Sequence, residues 1–180
     1  LITLTETNYL GKVDPLDLKL LKTINLCKYI KTLRTTFAHP HILNDGSWIT
    51  MGMHIRPPNF SYEFIRYRND SNVNELTNIC EKAEVICRFR STHLTGLSYF
   101  HSFGLTKNYI IFLEQTLKLD VFKMLKNLII NKPFSEAFIM NEKFQTKIYL
   151  INHKTGKKIE RKFFTEPLFV FHHINAYEKE

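Results

Sequence analysis

At 180 residues and a formal net charge of +8, the chain can bury one ordinary domain core, and it is basic enough to admit nucleic acid or an anionic membrane surface as a partner. A hydrophobic content of 44%, with 15 Phe and 8 Tyr, excludes a disordered chain and suits a β-rich globular one. No apolar run approaches the ~20 residues of a membrane-spanning helix. The lysines are scattered, with Lys154, Lys157 and Lys158 the one tight cluster, which sets nucleic acid aside.

In chain order, residues 1–6 alternate apolar side chains with Thr and Glu, and residues 8–14 hold a second short strand that ends in the turn signal Asp14-Pro15. Periodicity leaves 16–21 open between helix and strand, and 27–33 ambiguous. Asn44-Asp45-Gly46 predicts a tight turn that pairs 40–43 with 47–53. Pro57-Pro58 then breaks the chain. Strands are predicted at 62–68 and 85–89, with a polar surface loop over 69–78 between them. The stretch 99–115 reads as strand, turn, strand, with apolar residues alternating around His101 and turn signals at Gly104 and Asn108.

Residues 119–130 break the β pattern, because Val121, Phe122, Leu125, Leu128 and Ile129 fall near helical spacing, punctuated by Lys118, Lys123, Lys126 and Lys132. Residues 143–150 and 157–164 read as a hairpin joined through 152–156, and a last strand carries His172. Many short strands with little helix argue for a sandwich, barrel or propeller, among which pattern alone does not choose. The three cysteines, Cys27, Cys80 and Cys87, lack metal-site spacing and read as reduced thiols of a cytosolic protein. The sequons at Asn59 and Asn69 are treated as chance matches.

A histidine on an apolar strand, taken alone, is a core residue with a satisfied hydrogen bond. Two others share the surroundings of His101: His39 in Phe37-Ala38-His39-Pro40-His41, and His172 in Phe171-His172-His173. The three recur at roughly 60–70 residues, wider than the ~40–45 of a compact propeller repeat. His54, His93 and His153 read as ordinary surface or loop residues.

Five stretches carry a resemblance: TETN at 5–8, KVDPLDLKLLKTINLCKYI at 12–30, AHPH at 38–41, HSFGLTKNYIIFLEQTLKLD at 101–120 and FHHINAYE at 171–178. In order and content they resemble the carotenoid cleavage oxygenases of animals, which include the retinoid isomerohydrolase of the retinal pigment epithelium. The resemblance implies an all-β fold, part of a seven-bladed β-propeller with short helical insertions, and residues 1–180 as an internal fragment of that domain. It implies one Fe(2+) per full-length chain, held by four histidines. His39, His101 and His172 match three of them, and the fourth lies beyond Glu180. The closing motif selects His172 over His173, and the AHPH motif selects His39 over His41. Glu6 matches a carboxylate that accepts the free ring N–H of a ligand and fixes its tautomer. Glu178 stays open between that role and a solvated strand end.

The implied reaction is oxidative scission of a conjugated polyene double bond with dioxygen as co-substrate, giving two carbonyl products from a carotenoid or apocarotenoid. The alternatives are a retinoid isomerohydrolase, which uses the same iron without incorporating oxygen, and a non-catalytic carotenoid- or lipid-binding relative. Such substrates live in lipid, so a cytoplasmic enzyme with peripheral membrane contact is expected. Phe122, Leu125, Leu128 and Ile129 are the candidate contacts, although a helix packed on the propeller fits them equally. Two departures stand out: Phe37 where relatives carry a small residue, and Thr116 in place of a proline after the Glu-Gln pair.

Overall fold

The computed structural model of the chain describes residues 1–68 and 76–179. These divide into two compact units, Leu1–Ile55 with Tyr62–Arg88, and Arg56–Ser61 with Phe89–Glu180.

The first unit opens with an antiparallel sheet of β1 (Ile2–Thr3), β2 (Tyr9–Val13) and β3 (Leu20–Asn25). The strand expected over 1–6 shrinks to two residues, because the chain bends at 6–8, where the exposed Thr5 and Thr7 share a hydroxyl bond of 2.7 Å. Asp14 accepts from the Leu16 and Leu18 backbone N–H groups, which fixes the predicted turn, and 16–21 resolves into turn then strand. The ambiguous 27–33 begins in a 3₁₀ turn, Leu26–Lys28, with the Asn25 side chain accepting from the Cys27 N–H.

A five-stranded sheet follows, made of β4 (Thr35–Thr36), β5 (His41–Ile42), β6 (Trp48–Arg56), β7 (Asn59–Tyr67) and β8 (Glu84–Arg90). β5 pairs with β6 across the predicted turn, where Gly46 adopts φ 75°, a left-handed conformation that costs glycine nothing. Pro57-Pro58 serves as the reversal between β6 and β7 rather than as a break between separate elements. β6 and β7 are buried on both faces over 48–53 and 60–65, with Ile49, Met51, Tyr62, Phe64 and Ile65 all 0% exposed. Trp48 and Tyr67 stack with ring centroids 4.5 Å apart. Of the loop expected over 69–78, residues 69–75, with the Asn69 sequon, lie outside the described residues. Its last three belong instead to α1 (Leu76–Glu81), where Leu76 and Cys80, one turn apart, both face the core. Burial pushes the Cys80 thiol up to about 11, so it is an inert packing residue.

The second unit holds two sheets. One runs β9 (Gly96–Ser98), β12 (Leu117–Asp120) and β13 (Phe138–Met140). The other runs β10 (Gly104–Leu105), β11 (Tyr109–Glu114), β14 (Thr146–Asn152) and β15 (Phe163–Thr165). The four-stranded sheet has the size of a propeller blade. Its partners β11 and β14 are separated in sequence by β12, α2 (Val121–Ile129) and β13. That insertion lies between His101 and His172 and lengthens their spacing. α2 forms where the helical period was read, capped by Asp120, whose side chain accepts from the Lys123 N–H at 3.0 Å. Partial burial pushes the Asp120 carboxyl up, but hydrogen bonds from Thr95 and Lys123 outweigh it and leave it below the usual aspartate range.

Three strand expectations fail here. His101 lies in the irregular stretch 99–103 between β9 and β10, and Gly104 is a strand residue rather than a turn. The hairpin through 152–156 forms, with Gly156 at φ 71°, but the strand expected over 157–164 reduces to one bridge, Ile151–Lys158, and then β15. No strand carries His172: residues 166–179 pair with no sheet.

Candidate metal centre

His101 is set between two buried aromatic anchors, Phe100 and Phe103, which are 1% and 2% exposed. Phe100 packs edge-on against Phe112 of β11, with centroids 5.3 Å apart. These anchors leave the imidazole half-buried beside the Tyr99 hydroxyl, 3.4 Å from its Nδ1. Phe171 closes one side, edge-on at 5.7 Å.

His172 reaches the same place from a segment with no ladder of its own. In place of strand pairing, side chains of the central hairpin hold the backbone of 166–179. The Thr116 hydroxyl donates to the Leu168 carbonyl at 3.0 Å. Gln115 Oε1 accepts from Val170 N–H at 2.6 Å, and Gln115 Nε2 donates to the Val170 carbonyl at 3.0 Å. Ser102 donates to the Phe171 carbonyl, and its oxygen accepts from the His173 N–H, both at 2.9 Å. Farther on, Glu178 takes Thr106 Oγ1 at 2.6 Å and both Asn108 donors at 2.8 Å. The Thr106 hydroxyl and then Asn108 hold its carboxyl below the usual glutamate range. Glu178 therefore anchors the segment's end, a use that neither reading from sequence included.

So held, His172 brings its ring centroid to 5.0 Å from that of His101, at 70°. Its neighbour His173 turns instead to Ser102, with Nδ1 3.1 Å from the hydroxyl. The two adjacent histidines thus meet different partners, separated by side-chain tethers rather than by a strand's alternation.

In the first unit, His39 lies exposed between β4 and β5. Phe37 is 4% exposed and packs as core. The TETN loop is tied to the strand that leads to His39. The Thr35 hydroxyl donates to the Glu6 carbonyl, and the Thr36 hydroxyl to the Thr7 carbonyl, each at 2.8 Å. Glu6 itself is exposed.

Of the remaining histidines, His93 and His153 lie in loops as expected but are buried rather than exposed, and His54 lies on a strand. His93 and His153 are 8% and 5% exposed, with Nε2 atoms 3.4 Å from the Gln115 carbonyl and 3.0 Å from the Lys107 carbonyl. Burial keeps His93 below the usual histidine range, hence neutral. His54 sits on β6, half-buried, with Nδ1 2.8 Å from the Thr32 carbonyl. Each is a structural histidine bonded to backbone. Gln115 and Ser102 escaped the sequence reading. The signal for Gln115 is a polar side chain just after the apolar run 110–113, and it is 2% exposed; Ser102, half-buried, carries none.

Fold and site together define a class: strand-rich proteins built of propeller-type sheets, in which histidines on irregular segments converge beside aromatic side chains. Over residues 1–180 the chain matches the family described as retinal pigment epithelial membrane protein, and it belongs to that family, the carotenoid oxygenases. It is 34% identical over 180 residues to the beta,beta-carotene 15,15'-dioxygenase of Rattus norvegicus, covering 98% of this chain and 31% of that protein. It is 36% identical over 176 residues to the mitochondrial carotenoid-cleaving dioxygenase of Macaca fascicularis, with the same coverage of 98% and 31%. The chain thus spans about a third of these relatives' length. Among solved structures, a cobalt-substituted apocarotenoid oxygenase of Synechocystis superposes with a TM-score of 0.69 at 19% identity, covering 99% of this chain and 35% of that one. The all-β propeller class with short helices is thereby established for the chain.

Proposed function

We propose that the chain is part of an Fe(2+)-dependent dioxygenase that cleaves a conjugated double bond of a carotenoid or apocarotenoid to aldehyde or ketone products. His39, His101 and His172 hold the metal, a fourth histidine outside residues 1–180 completes it, and Glu6 orients a ligand ring. The observation that carries this reading is the His101–His172 pair, two imidazoles of one unit whose ligand nitrogens lie within 4.8 Å of each other. Such nitrogens sit about 2.1 Å from a divalent ion, so donors up to about 4.2 Å apart share one, and small ring rotations close the difference. Neutral imidazole suits iron among the first-row metals. The names of the rat and macaque relatives, both dioxygenases acting on carotenoids, supply the reaction class.

A bound ferrous ion supplies the electrons that let dioxygen react with an alkene. The chain's own residues fix the donors and surround them with apolar surface. Tyr99, Phe169 and Phe171 form a continuous aromatic wall beside His101, with successive centroids 6.0 and 4.8 Å apart. A polyene offers almost no polar handle, and a wall of this kind binds it by shape. Assay of the full-length protein with labelled dioxygen tests the reading: label in the carbonyl products is expected. Turnover without label would instead identify the isomerohydrolase, the reading that the family's retinal description favours. No turnover with iron bound would leave the binding protein.

No helix among the described residues is long and apolar enough to cross a membrane. Peripheral contact from the cytoplasm is the proposed arrangement, and α2 is its proposed element. Phe122, Leu125, Leu128 and Ile129 are 49%, 44%, 65% and 83% exposed, with Lys123 and Lys126 among them. Apolar side chains at that spacing, flanked by ammonium groups, suit an interface with anionic headgroups. Replacing Leu125, Leu128 and Ile129 with Ser is expected to release the protein from anionic vesicles in a flotation assay. Unchanged flotation returns α2 to an ordinary surface helix.

A further inference from the structure

We propose that Gln115 is the positioning residue for the His101–His172 pair; this rests on the metal-site reading above. Its one carboxamide joins the two irregular segments that carry these histidines. Nε2 donates to the Tyr99 carbonyl at 3.3 Å and to the Val170 carbonyl at 3.0 Å, while Oε1 accepts from the Val170 N–H at 2.6 Å. Tyr99 stands two residues before His101, and Val170 two residues before His172. The amide therefore ties the two backbones at equivalent points, one residue short of each ligand's neighbour.

The orientation of the amide is fixed by its partners. Turned over, the NH₂ would face the Val170 N–H and the oxygen would face two carbonyls. Gln115 is itself clamped. Its N–H donates to Ser98 Oγ at 2.7 Å, and its carbonyl accepts from the same hydroxyl at 3.0 Å. His93 Nε2 stands 3.4 Å from that carbonyl on another side. At 2% exposure, no water competes for these bonds. Because 166–179 has no ladder bonds, this bridge and Ser102 are the tethers nearest the two imidazoles. Ser102 still tethers Phe171 and His173 when the amide is removed, so the segment stays docked while its register loosens.

Cobalt(II) binding to the apo full-length protein tests this, with ligand-field absorption reporting donor geometry. Gln115→Met keeps the length and removes every bond. It is expected to lower cobalt affinity about tenfold or more, the usual effect of removing a residue that orients a ligand, and to shift the ligand-field bands. Gln115→Glu keeps the shape and, protonated by burial, loses one donor; its affinity is expected between those of wild type and Gln115→Met. Thr116→Val removes a hydroxyl bond to the same segment at Leu168 and is expected to lower thermal stability without moving the bands. Wild-type affinity and spectrum in both Gln115 variants, or an equal shift in Thr116→Val, would overturn the assignment. His101→Ala and His172→Ala decide the reading beneath it. Loss of the bands in these with wild-type bands in the Gln115 variants refutes the positioning role alone, whereas wild-type bands in the histidine variants refute both.

Discussion

Alanine at His101 or His172 is expected to leave the purified full-length protein without stoichiometric iron while its fold stands. Binding to a four-ligand divalent site amounts to about 10–16 kcal/mol for zinc, so each ligand carries on the order of 3–4 kcal/mol, a loss of roughly 10²-fold or more in affinity. The fold loses far less, because His172 is exposed and His101 half-buried, and exposed substitutions usually stay within about 0.5 kcal/mol. Metal content by elemental analysis, paired with thermal unfolding of the metal-free protein, separates the two effects. His153→Ala is the contrast, since it removes a buried ring bonded to the Lys107 carbonyl and lies outside the donor group. It should lower stability and leave iron in place. Iron retained at wild-type occupancy in His101→Ala would end the metal assignment for that residue.

What could be read from the sequence was local. The turn at Asn44-Asp45-Gly46, the hairpin through 152–156 and the helix after Asp120 all rest on residues within a few positions of one another, where turn chemistry and periodicity act directly. The irregular stretches were misread because period-2 alternation records which side chains are buried, not which backbones pair. Phe100 and Phe103 are buried around His101 as in a strand, yet residues 100–103 belong to no strand. Segment 166–179 carries alternating aromatics too, but it is held by Thr116, Gln115, Ser102 and the Thr106–Asn108 turn, 52 to 72 residues away in sequence. No local pattern encodes bonds of that range. The histidines show the same division. Chemistry alone could not rank His39, His101 and His172 above His93 and His153, and motif resemblance supplied the ranking; in the structure the rings of His101 and His172 stand 5.0 Å apart.

The stability of this arrangement should depend most on a residue that touches no histidine ligand. Glu114→Ala is expected to destabilise the protein by about 3 kcal/mol, as befits charge-assisted hydrogen bonds worth about 1.5–3 kcal/mol each, some of whose donors recover water. Glu114 is 0% exposed. It accepts Thr92 N–H at 2.8 Å, Thr92 Oγ1 at 2.6 Å, Ser91 Oγ at 3.1 Å and Tyr149 O–H at 3.0 Å. Burial first, and the adjoining carboxylate second, push the Tyr149 phenol above its usual range, so it remains a donor throughout the accessible pH range. Denaturant unfolding of Glu114→Ala, Tyr149→Phe and the double variant measures the arrangement. Tyr149→Phe alone removes one donor and should cost about 1 kcal/mol, and little of that should remain once Glu114 is gone. Additive costs, or wild-type stability in Glu114→Ala, would show that the carboxylate does not anchor the loop. The consequence reaches the site through a short chain of bonds: Glu114 fixes the 91–93 loop, the loop presents His93 to the Gln115 carbonyl, and Gln115 spans the segments that carry His101 and His172.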